Sequence, residues 1–285
     1  MTLELFENYF LWLMFYSFVG WVYESLLCSF SARRWINRGF LNGPYCPIYG
    51  FGAVLDLLIL GRITQPVLLF FLGALVTCTL EYLTSYVMEK LFHARWWDYS
   101  ERKFNLNGRV CLIGAVVFGA FSVVLILLIH PAVARATAWL PPLARHILSA
   151  ALLVLLLTDT AVTVGGFSGF NRRLKELSAL LEQAKTEAAD RLHRSLSHSA
   201  LYRSFTEKLN RQQRRMLAAF PKLKSVSYNH LLSGLKQAVR ERRGKKAPDS
   251  TSDPSDSLTG ALNETPDEPL NQDPNGAGRD TARDA

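Results

Sequence analysis

The sequence predicts an all-α integral membrane protein of about five transmembrane helices, a cytoplasmic helical arm and a disordered acidic tail. Three observations predict it: apolar runs of membrane-crossing length, a sharp partition of charge along the chain, and a change of composition after residue 247. Whole-chain averages, a net charge of +8 with 49% hydrophobic residues, would suit a soluble basic protein. Regional counts do not. Residues 1–169 hold 11 Lys and Arg against 9 Asp and Glu, residues 170–246 hold 19 against 6, and residues 247–285 hold 2 against 9. Three physically different segments are therefore joined, a transmembrane domain at 1–169, an arm at 170–246 and a tail at 247–285.

About 20 mainly apolar residues cross the hydrocarbon of a bilayer as a helix. The first such run is 8–30, and with no basic region or small-residue cleavage site before it, it is expected to be a retained anchor. The second, 44–61, is interrupted by Pro44, Pro47, Gly50, Gly52 and Asp56, so it can begin as an irregular or re-entrant piece where protein or water meets its backbone. The third, fourth and fifth are 66–89, 108–130 and 146–168. Arg33, Arg34 and Arg38 precede the second span, and Lys90, Arg95, Arg102 and Lys103 precede the fourth with Arg109 at its entrance, whereas the other side has only Arg62, Arg135 and Arg145. The positive-inside bias then places the amino terminus outside and the carboxyl terminus in the cytoplasm.

Ionisable groups inside spans are costly and usually face the bundle interior. Ser17, Gly20, Trp21 and Glu24 form one stripe on the first span, and Thr77, Glu81, Ser85 and Glu89 repeat every four residues on the third. Both stripes run toward the loops that hold Arg38, Arg95 and Arg109. Two readings stay open: the carboxylates lock helices together by pairing with arginines, or they line a polar cavity open to the cytoplasm. Asn37, Asn42 and Tyr45, beside the Gly43-Pro44 break, fit either a cavity wall or a tight turn. Thr158, Asp159 and Thr163 lie on the fifth span, whose leucine run predicts a helix mainly in contact with lipid.

Between the third and fourth spans lies HARWWDYSERKFNLNGRVCL, residues 93–112. Trp96, Trp97 and Tyr99 suit the headgroup level. Asp98 has Arg95, Arg102 and Arg109 as possible partners, and Asn105 and Asn107 are placed to cap the fourth span. The candidate cavity or helix-locking set is thus Glu24, Arg38, Asn42, Glu81, Ser85, Glu89, Trp96, Trp97, Asp98, Tyr99, Asn105, Asn107 and Arg109. Cys28, Cys46, Cys78 and Cys111 lie in or beside apolar segments without a CxxC pair or histidine partner, which predicts apolar fillers and no metal.

The runs RWWDYS (95–100), FN (104–105), NGR (107–109) and VCL (110–112) resemble the bacterial putative ABC-transporter type IV permease family. So do YSFVGWVYE (16–24), NRGFLNGPYCPIYGFG (37–52) and EYLTSYVMEKLF (81–92), and together these motifs cover about residues 8–168. The resemblance implies a multi-pass inner-membrane protein and assigns neither substrate nor catalytic residues.

In the arm, Leu174, Leu177, Leu180 and Leu181 are spaced for an amphipathic helix, and Pro221 marks a break. Arg211, Arg214, Arg215, Arg240, Arg242, Arg243, Lys245 and Lys246 suit anionic lipid headgroups, with short coiled-coil pairing of 171–194 as the rival. Few aromatic residues accompany this charge, so no nucleic acid is expected. From Pro248 onward the composition predicts disorder.

No GxxxxGK[ST] phosphate loop occurs, so a transport component would take ATP hydrolysis from a separate ATPase subunit, acting alone or as a homo-oligomer among membrane lipids. The competing readings are a membrane-embedded enzyme acting on a lipid or lipid-linked substrate at the cytoplasmic face, and a non-enzymatic membrane scaffold. The sequence carries no recognised catalytic signature and calls for no cofactor, which leaves enzymatic activity open.

Overall fold

The computed structural model describes residues 3–33, 35–187, 202–220, 223–226 and 228–244. It is mostly helical. Among the described residues four helices are long and apolar enough to cross a membrane, and they make this a multi-pass membrane protein. Helix α1 spans Leu3–Ala32 and α3 spans Pro66–Phe92. Helix α4, Leu112–Val124, continues through a π-helical turn at Leu125–Ile129 into α5, His130–Ala138. Pro131 follows that turn directly; its missing N–H and its ring disturb the α ladder at this point. Helix α6, Pro142–Phe167, completes the set.

The second expected span differs. Helix α2 covers only Pro47–Leu60, 14 residues, or roughly 21 Å against a hydrocarbon thickness of about 30 Å. Gly43, Pro44 and Pro47 keep the preceding segment irregular, and protein satisfies its polar groups. The amide of Cys46 donates to the Ser17 carbonyl in α1, and the amides of Asn42 and Gly43 donate to Asp159 in α6. Irregular backbone at membrane depth needs this kind of support. Helix α2 lies close on α1 at Gly50, where a Cβ would fall 2.2 Å from both the Leu13 carbonyl oxygen and Ser17 Oγ. Helices α3 and α4 approach in the same way at Gly73, against Ser122.

The connection from α3 to α4 is a tied loop. His93 ends α3 in the left-handed conformation, and strand β1, Ala94–Arg95, follows. Strands β2, Asn105–Leu106, and β3, Val110–Cys111, pair around a turn in which Asn107 and Gly108 both have positive φ, the geometry that Asn-Gly favours. Helix α4 begins at Leu112 with Cys111 before it and no side-chain cap, so the asparagines do not cap it. Asn105 accepts from the Gly108 amide and donates to the Arg102 carbonyl instead.

The arm contains α7 (Phe170–Glu187), α8 (202–208), α9 (Arg211–Ala219), strand β4 (Lys224–Ser225) and α10 (Asn229–Gly244). Leu174, Leu177 and Leu181 are buried as their spacing predicts, while Leu180 faces outward. Leu209, Met216, Leu223, Leu232 and Leu235 join them in a core that also takes in Phe167 from the end of α6 and Trp96 from the α3–α4 loop. Strand β4 pairs antiparallel with β1, and Asn210 Nδ2 donates to the Gly166 carbonyl. The arm is thus packed onto the end of the bundle where α1, α3 and α6 finish. The expected acidic tail and the side chains of Arg240, Arg242, Arg243, Lys245 and Lys246 lie outside the described residues.

Candidate functional site

Most of the predicted polar residues meet at the arm end of the bundle, in three connected groups. In the first, Arg38 Nε lies 3.3 Å from Glu24 Oε2, and the Tyr49 hydroxyl donates to Glu24 Oε1 at 2.8 Å. The Arg38 guanidinium also donates to the Ala219 carbonyl and stands 4.3 Å above the Phe220 ring. One arginine therefore joins α1, the irregular loop and the arm.

The second group closes the α3–α4 loop. Glu89 receives Arg95 at 2.6 Å and Arg109 at 2.9 Å. Arg109, 6% exposed, donates to Ser85 Oγ at 3.1 Å and stacks near the rings of Tyr82 and Tyr86. Asn107 Nδ2 donates to the Tyr82 hydroxyl, and Trp97 Nε1 to the Arg109 carbonyl. The Tyr99 hydroxyl lies 3.2 Å from Glu81 Oε1. Burial, followed by the charge of Glu81, raises the Tyr99 pKa, so its phenol stays neutral.

Asp98 turns away from the arginines of its own loop. It accepts from the amide and hydroxyl of Ser100 and pairs with Lys224 of the arm. Burial opposes its ionisation, but the hydrogen bonds from Lys224 and Ser100 outweigh this and hold it at about 2. A depressed folded-state pKa stabilises above the ordinary aspartate value and is lost as pH falls through the folded one. Loop-to-arm stability should therefore fall between pH about 4 and about 2. Protease release of the arm in that range, compared between the native chain and Asp98→Asn, measures it; the variant should lack this component.

The third group was not foreseen. Asp159 on α6 accepts from Asn42 Nδ2 at 2.9 Å, the Gly43 amide at 2.8 Å and the Tyr45 hydroxyl at 2.7 Å, with Thr163 Oγ1 at 3.1 Å. Most of α6 is exposed, as expected of a helix mainly in contact with lipid, and through Asp159 it also holds the irregular loop in place. Its Asp159-Thr163 spacing of four among leucines was the available signal. A hydrogen bond to a charged group contributes about 1.5–3 kcal/mol net and such contributions do not simply add, so Asp159→Ala should destabilise by about 3 kcal/mol, with Asp159→Asn milder. Thermal unfolding in detergent checks both.

Trp96 also departs from expectation. Its ring is 2% exposed and lies among Phe40, Phe92, Phe167 and Phe220, beneath the arm and not in a headgroup belt. Arg215 likewise donates to the carbonyls of Gly39 and Phe40 and does not present itself to headgroups.

The Glu24 and Glu89 stripe ends thus close on arginines. A pocket of about 300 Å³ near the arm end is apolar, with Leu91, Phe92, Phe167 and Phe170 in its wall. Among the described residues, no group of three or more His, Cys, Asp or Glu is placed to hold a metal ion, and the four cysteines are free.

The family model described as Putative ABC-transporter type IV matches residues 11–164, more than half of the chain. The chain belongs to this family. Within the ABC-transporter type IV match lie Glu24, Glu81, Glu89, the whole α3–α4 loop and Asp159, whereas Lys224, Ala219 and the rest of the arm fall outside it. No curated protein and no solved structure matches the chain.

Proposed function

We infer that the protein is the membrane-embedded, permease-like component of a transport system, with ATP hydrolysis supplied by a separate ATPase subunit. The family match across the transmembrane helices is the observation that carries this reading. The 285 residues contain no phosphate loop, so in this reading the ATPase is a partner.

In this reading the amino terminus is outside, the arm is cytoplasmic, and the chain sits in the inner membrane. The second crossing is made by the irregular loop at 39–46 together with α2. Residues 1–169 form the transmembrane domain, 170–246 the basic arm and 247–285 an acidic tail. The tied α3–α4 loop and the arm give the partner a rigid surface, because the loop is joined to α3 through Glu89 and to the arm through Lys224. Displacement of that surface would reach α3 directly. Anionic headgroups are the expected contacts of exposed arm cations such as Arg172 and Arg211.

Purification of the full chain from its native membrane in mild detergent tests the reading. A P-loop ATPase should accompany it, and the isolated chain should hydrolyse no ATP. Lipid turnover by the isolated chain, lost in Glu81→Gln, would replace transport with enzymatic activity. Labelling of cysteines placed at 101–103 by an impermeant reagent from outside the cell would reverse the orientation.

A further inference from the structure

The three glutamates of the stripes have unequal surroundings. Glu89 faces two guanidinium groups, and Glu24 faces one together with a phenol. Glu81 is 6% exposed and makes no ion pair among the described residues. Its Oε1 meets the Tyr99 hydroxyl, and its Oε2 is buried with no hydrogen-bond partner among the described residues. A lone ionised carboxylate in such a place is costly to bury, whereas the carboxylic acid is far less so.

The groups around Glu81 add no compensating cation. Tyr99 comes from the loop, Cys111 from β3, Glu24 from α1 and Cys78 from its own helix, and each is neutral or negative. On α4, Gly114 faces Glu81, and a Cβ there would make ordinary van der Waals contact with Oε2 at 4.0 Å. A proton needs no coordination shell, while a metal ion would need several further ligands. The phenol of Tyr99 can donate to the carboxylate or accept from the acid, so one contact serves both states.

Glu81 also sits on a polar seam. Thr77 lies one turn away on α3 and donates to the Gly73 carbonyl, and Gly73 packs on Ser122. Ser122 in turn donates to Asp56 Oδ2 at 2.5 Å, and Asp56, 1% exposed, has its other oxygen without a partner among the described residues. In the opposite direction Ser85 leads to Arg109 and Glu89 at the arm end.

We propose that Glu81 is a reversible proton-binding site, set between α3, α4 and the α3–α4 loop, whose protonation state is passed to the loop through Tyr99. Binding moves one proton from hydronium to a carboxylate oxygen: one O–H bond of the hydronium breaks, one forms on the acid, and a water molecule is left. Loss of that proton leaves a buried negative charge that Tyr99 alone must stabilise. The loop bearing Tyr99 is therefore the element that responds. This stands apart from the transport reading, since it requires no ATPase.

Infrared spectra of the full chain in lipid nanodiscs, recorded across pH, test it. A carboxylic-acid carbonyl band should be present near neutral pH, fade as pH rises, disappear in Glu81→Gln and persist in Glu89→Gln and Asp56→Asn. Tyr99→Phe, which keeps Glu81 itself, should move both the frequency and the midpoint of the band. Replacing sodium by choline should change nothing. A neutral-pH spectrum indifferent to Glu81→Gln, or a band indifferent to Tyr99→Phe, overturns the proposal. Loss of the band on adding sodium at fixed pH would overturn it in favour of an alkali-cation site.

Discussion

Replacing Trp96 by alanine should destabilise the protein by about 3–5 kcal/mol, the usual cost of emptying a buried aromatic site. The effect should be concentrated where the arm meets the bundle. The Trp96 ring contacts Phe92 of α3, Phe167 of α6, Phe40 of the irregular loop and Phe220 beside α9, so its loss opens a cavity shared by four segments. Phe220 also lies under the Arg38 guanidinium, and its displacement would disturb the Glu24 pair in turn. Limited proteolysis should cut between α6 and α9 faster in Trp96→Ala, while Trp97→Ala, only partly buried at the edge of that core and donating one hydrogen bond, should change less. Equal protection of the two variants would show that the arm does not depend on this contact.

Arg109→Ala should be the second large loss, at about 3 kcal/mol. Removing one partner of a buried pair costs more than the pair contributes, because the remaining charge stays buried. Glu89 keeps Arg95, which places the effect at the low end of that range. Ser85 loses its partner as well, and the tyrosine rings of α3 lose the cation beside them. Arg109→Lys should recover only part of the loss, since a single ammonium lacks the fork that reaches Ser85 and Glu89 together. Thermal unfolding of both variants in detergent measures the difference.

The sequence made much of the fold legible because hydropathy is a local property. Helices α1, α3 and α6 and the α4–α5 pair fall where long apolar runs occur, and the prolines and glycines of 43–52 announced that the second crossing would not be a plain helix. The four-residue stripes were equally readable, and Glu24 and Glu89 do end on arginines at the predicted end. What remained hidden depends on distant segments. Asp98 had three arginines nearby in sequence yet pairs with Lys224, 126 positions away. Trp96 suits a headgroup belt by residue type, and only the folded arm buries it. Asp159 sat in a leucine-rich helix, and its role requires the loop at 42–45 to bend back onto it. No local pattern distinguishes Glu81, without a cation, from Glu89, with two; that difference arises from where the loop places its guanidinium groups.

The loss expected in Arg109→Ala and the contact of Tyr99 with Glu81 both depend on the α3–α4 loop being closed onto α3 through Glu89 and Arg109. A double-mutant cycle with Glu89→Gln, Arg109→Gln and the pair, read by unfolding of the full chain, addresses that closure without reference to substrate or partner. The geometry predicts a coupling of about 2 kcal/mol or more, within the range seen for groups in direct contact. Additivity to within about 0.5 kcal/mol would contradict it, and the loop would then be no more than a connection.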